Sequence, residues 1–166
     1  FLLNRSSDLA CGPFLDQRQC LREDAWRETA RKGTNAYNAA ETLLKGLEIP
    51  LPAGQRFLDK DGHERQHIRT RWWSQGVGTY RSVAMLDDAT RETLSDEPVP
   101  GDVLPGYTDE KPVFVGHYWL RGTPAPMTDR VACLDYTVTE PAPKGKLTAY
   151  RWRDEPKINS HRFFWV

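Results

Sequence analysis

The sequence predicts an α+β protein, with an N-terminal helical segment packed on a mostly antiparallel sheet. Two observations lead there. Apolar residues recur at steps of three and four between residues 16 and 47, whereas short β-branched and aromatic runs bounded by Pro and Gly dominate after residue 112. Helices first and strands later, with no internal repeat or low-complexity tract, is the α+β order. The 166 residues suit one domain that buries roughly two-thirds of the surface its unfolded chain would expose.

Residues 1–13, with Ser6, Ser7, Gly12 and Pro13, read as an irregular arm. From Asp16 to about Lys32, Leu21, Ala25, Trp26, Thr29 and Ala30 fall at helical spacing, and Gly33 ends the run. Thr34 or Asn35 caps a second helix whose apolar face is Ala36, Tyr37, Ala40, Leu43, Leu44 and Leu47. That helix stops near Gly46, because Pro50 and Pro52 forbid its continuation. Asp59-Lys60-Asp61-Gly62 has the composition of a tight turn, predicting a hairpin. Ile68, Thr70 and Trp72 alternate with Arg69, Arg71 and Trp73, a period-two strand signal. Residues 96–111, rich in Pro and Gly, form a surface loop. Four strands follow, at Val113–Gly116, Arg130–Val138, Lys146–Trp152 and Arg162–Val166, and the turn at Lys144-Gly145-Lys146 suggests an antiparallel meander.

Bulk composition narrows the partners. Lys plus Arg and Asp plus Glu number 23 each, so net charge favours neither nucleic acid nor a membrane surface. No apolar run approaches the ~20 residues of a membrane span. The chain begins at Phe1 without a basic-then-apolar leader, which reads as a piece of a longer polypeptide. Cys11, Cys20 and Cys133 are odd in number and lack C-x-x-C spacing, so neither a zinc site nor a disulfide framework is expected. Cys133 reads as a packed thiol, and a reducing cytoplasm fits this usage.

Among candidate sites, Asp59, Asp61 and Gly62 have calcium-loop composition, but the glycine comes two positions early and no bidentate acid follows. Asp61-Gly62-His63 has metal-ligand spacing but no apolar strand to deliver it, so a plain turn is preferred. His63 and His67 read as solvated. Arg65, Arg69, Arg71, Trp72 and Trp73 form a basic–aromatic patch of the kind that holds single-stranded nucleic acid, set against the simpler reading of wet arginines and core tryptophan. His117 is the stronger candidate. It ends the apolar run Val113-Phe114-Val115, with Gly116 allowing close backbone approach and a Gly122, Pro124 and Pro126 loop beyond.

Pro112-Val113-Phe114-Val115-Gly116-His117-Tyr118-Trp119, Val131-Ala132-Cys133-Leu134-Asp135-Tyr136 and Lys146-Leu147-Thr148-Ala149-Tyr150-Arg151-Trp152 together resemble the C-terminal end of bacterial calcineurin-like metallophosphoesterases. The branch is the one related to serine/threonine protein phosphatases and diadenosine tetraphosphatases. Leu43-Leu44-Lys45-Gly46, Leu51-Pro52, Asp59–Gly62 and Arg71-Trp72-Trp73 resemble a subfamily insert, so the likeness spans roughly residues 35–152. It implies that residues 112–166 are the β-rich C-terminal part of an α/β-sandwich core and that 14–95 form a cap-like insert. It further implies that His117 ligates one of two divalent ions of the Mn, Fe, Zn, Ni or Mg class. Tyr118, Trp119 and Arg121 would line the substrate side, Arg121 offering charge-assisted bonds to phosphate.

The departures matter equally. The family's Asp-x-His strand end, Gly-Asp-x-x-Asp-Arg-Gly loop and Gly-Asn-His-Glu turn are absent; Gly101-Asp102 continues into Val103-Leu104-Pro105; and Trp119 stands where a Gly-His-x-His variant has its second histidine. One imidazole cannot hold an ion pair about 3.5–4 Å apart. The expectation is a fragment that is inactive and metal-free alone, completed by the N-terminal catalytic half of the same polypeptide, and acting on a phosphorylated small molecule or phosphoprotein. The alternative is a non-catalytic binding or regulatory module.

Overall fold

In the computed structural model, residues 12–18, 20–59, 61–101 and 103–166 are described. The arm's first eleven residues, including Cys11, and Lys60 of the hairpin turn and Asp102 lie outside them. Short helices and small, mostly antiparallel sheets confirm the α+β class. The chain divides into two compact units, residues 1–106 and residues 107–166.

In the first unit, helix α1 (Trp26–Ala30) packs against α2 (Asn35–Lys45). The Thr34 side chain accepts the Tyr37 N–H at 3.1 Å, which caps α2. Gly46, at φ 89°, ends it. The long first helix expected over 16–32 shrinks to a 3₁₀ turn, Glu23–Ala25, leading into α1. Local bonds compete with it: Leu15 bridges Leu21, and the Arg22 guanidinium grips Asp24. Trp26 lies at the surface, so the apolar stripe that suggested a longer helix is not a buried face. The face of α2 is also rotated from expectation, with Ala36 and Ala39 buried and Leu44 exposed.

Strand β1 (Glu48–Pro50) pairs antiparallel with β4 (His67–Arg69), Ile49 opposite Ile68. Between them β2 (Phe57–Leu58) and β3 (Glu64–Arg65) form the expected hairpin. Ile49, Leu51, Ile68, Val83, Ala84, Leu94 and Val99 make the core. Two short helices complete the unit, α3 (Tyr80–Val83) inside a reciprocal Thr79–Ser82 capping box and α4 (Asp88–Glu92) capped by Asp87. The strand predicted through Trp73 is interrupted. Beyond Thr70 the chain turns, the Ser74 N–H donating to the Arg71 carbonyl, so Trp72 and Trp73 both face inward with their rings edge-to-face at 5.4 Å.

In the second unit, the single meander gives way to two sheets. β5 (Val113–Val115) and β6 (Val131–Cys133) run parallel, whereas β7 (Asp135–Tyr136), β8 (Lys146–Tyr150) and β9 (Phe163–Trp165) form an antiparallel three-stranded sheet. The parallel pairing is a correction. The connection 116–130 exceeds the dozen residues that a crossover needs. The expected Arg130–Val138 strand breaks at Leu134, where its N–H turns to the Val115 carbonyl. Ala132, Ile158 and Phe163 are the buried centre, with Phe114, Leu134 and Tyr150 packed around them. Gly145 fits its turn because a Cβ there would lie 2.2 Å from the Glu140 carbonyl oxygen and 2.5 Å from that of Thr137.

Candidate functional site

The parallel strands β5 and β6 end side by side, and the residues just past their carboxyl ends are Gly116-His117 and Leu134-Asp135. Parallel-strand ends of this kind are where α/β proteins gather ligand-binding groups. His117 and Trp119 both adopt left-handed backbone, φ 69° and 48°, around Tyr118. For residues with a Cβ this costs about 1–2 kcal/mol each, most for a bulky one, and persists only where neighbours enforce it.

Asp135 is the enforcer. Its carboxylate accepts the Trp119 N–H and the Thr137 N–H, each at 3.3 Å, and its carbonyl accepts the Leu120 N–H at 2.9 Å. Thr137, itself left-handed at φ 54°, donates its hydroxyl to the Leu120 carbonyl at 2.8 Å. The 117–120 turn is therefore tied to the start of β7 at three points. Cys133 lies just before this segment, and its sulfur receives the Asp135 N–H at 3.3 Å. Burial pushes that thiol up to about 11, so Cys133 stays protonated and acts as a packed acceptor and not as a nucleophile.

His117 and Trp119 are exposed, and their rings sit 6.0 Å apart at 56°. Tyr118 is half-buried. Arg121 is exposed, but its guanidinium already meets the Glu140 carboxylate at 2.5 Å. The structure thus groups His117, Tyr118 and Trp119 in one turn and commits Arg121 to a surface ion pair. Such pairs are worth little, about 0–1 kcal/mol. Two open concavities lie elsewhere among the described residues. One, about 280 Å³, is bounded by Pro50, Gln55, Arg56 and His67. The other, about 510 Å³, is bounded by Pro126, Asp129, Lys157 and Asn159.

The other candidates resolve differently. Asp59, Asp61 and His63 bring ligating atoms within 4.8 Å of one another. The Asp59 carboxylate, however, receives the Asp61 and His63 N–H groups at 3.0 and 2.9 Å and lies 2.6 Å from the Arg65 guanidinium. A cation would have to displace a guanidinium, so the trio serves as a turn. Trp72 and Trp73, 1% and 6% exposed, offer no stacking platform, which removes the aromatic half of the nucleic-acid patch. Arg69 is drawn to Glu48 at 2.7 Å. His63 and His67 are exposed, as read from the sequence.

Asp135 is the residue that sequence reasoning undervalued. Its signal was a polar residue set directly after the buried run Val131-Ala132-Cys133. Among the described residues, His117 belongs to no cluster of three or more ligating side chains. An exposed imidazole at a strand end suits a metal, but one donor completes no coordination sphere. Comparison with protein-family models, with curated proteins and with solved structures finds no match to this chain.

Proposed function

We propose that this chain is the C-terminal part of a calcineurin-like, metal-dependent phosphoesterase, and that His117 is its one metal ligand. The observation that carries the reading is the placement of His117 at the end of a parallel strand pair, in a strained turn held by Asp135. The motifs around β5, β6 and β8 that resemble that family support it. The remaining ligands of two divalent ions belong to the N-terminal catalytic half of the same polypeptide. When bound, those ions would activate water and stabilise phosphoryl oxygens. Tyr118 and Trp119 line the substrate side, and Arg121 joins them by exchanging Glu140 for phosphate, whose geometry its guanidinium fits. The substrate is a phosphorylated small molecule or phosphoprotein. A reducing cytoplasmic location is supported by two free cysteines, Cys20 and Cys133.

The test is manganese-dependent phosphate release from phosphomonoesters by the full-length gene product. His117→Ala is expected to lower it about 100-fold or more while far-UV circular dichroism is unchanged. Unchanged activity in that variant removes His117 from the site. A full-length gene lacking Asp-x-His and Gly-Asn-His-Glu segments leaves the binding-module reading in its place.

A further inference from the structure

We draw no further inference here: the strongest candidate, the exposed apolar surface patch at Leu147, Phe164 and Val166 on the β8–β9 strand pair, with the Arg151 guanidinium 4.4 Å over the Phe164 ring, carries nothing because nothing in the structure shows what covers it.

Discussion

The two units use similar residues to opposite ends. Among the described residues of the first unit, four candidate side chains are absorbed by the fold while His63 and His67 stay exposed: Trp72 and Trp73 are core, Asp59 is spent on its own turn, and Arg69 pairs with Glu48. In residues 107–166, His117 and Trp119 are held at the surface on strained backbone, with the half-buried Asp135 accepting the Trp119 N–H. Residue type and spacing therefore do not distinguish a surface turn from a core. The difference lies in where the backbone turns. After Thr70 the turn sends tryptophans inward, and after Val115 it sends one outward.

The sharpest test of that contrast applies one substitution to both units. Trp72→Ala removes a 1%-exposed side chain and should cost about 3–5 kcal/mol. Trp119→Ala, at a half-exposed site, should cost about 1 kcal/mol or less. Denaturant unfolding followed by circular dichroism measures both. Similar losses would mean that Trp119 is a packing residue and would end the comparison.

Next in size is the clamp. Asp135→Ala leaves the Trp119 and Thr137 N–H groups without their acceptor, and the loss should be about 1–2 kcal/mol because both bonds are long. Limited proteolysis should then cut within residues 117–121 faster than in the wild type. An unchanged cleavage rate would show that the strained turn is held by something other than Asp135. His117→Gly tests the strain itself. At φ 69° glycine removes the left-handed penalty but adds unfolded-state entropy, so stability should stay level or rise by up to about 1 kcal/mol. A clear loss would identify His117 as structural.

The sequence revealed more of the first unit's local structure than of the second unit's pairing. Thr34, Gly46 and the Asp59–Gly62 turn act over a few residues, so the helix Asn35–Lys45 and the β2–β3 hairpin could be read directly. The short helices after Thr79 and Asp87 were missed although their capping residues were visible, because neither has an apolar stripe long enough to show a period. The direction of β5 against β6 depends on how residues 116–130 cross over, a long-range outcome that no local pattern encodes. The candidate histidine was legible as a strand-end residue after glycine. The Asp135 clamp was not, since it joins positions sixteen apart through backbone N–H groups that carry no sequence signature.

The smallest effect concerns the other carboxylate that holds a turn, Asp59. The His63 N–H first, and then the Arg65 guanidinium and the Asp61 N–H, hold its carboxyl down at about 2. An unfolded aspartate titrates near ~3.9, so the folded state binds this proton less readily than the unfolded one. The stabilisation is therefore fully present above about pH 4 and is lost as pH falls towards 2. In the wild type the β2–β3 hairpin should loosen over that window, read as faster hydrogen exchange at the Asp61 and His63 amides. Asp59→Asn should be insensitive there while showing somewhat weaker protection at neutral pH. The same loosening in Asp59→Asn over that window would mean that the acid response is global unfolding and not the release of one turn.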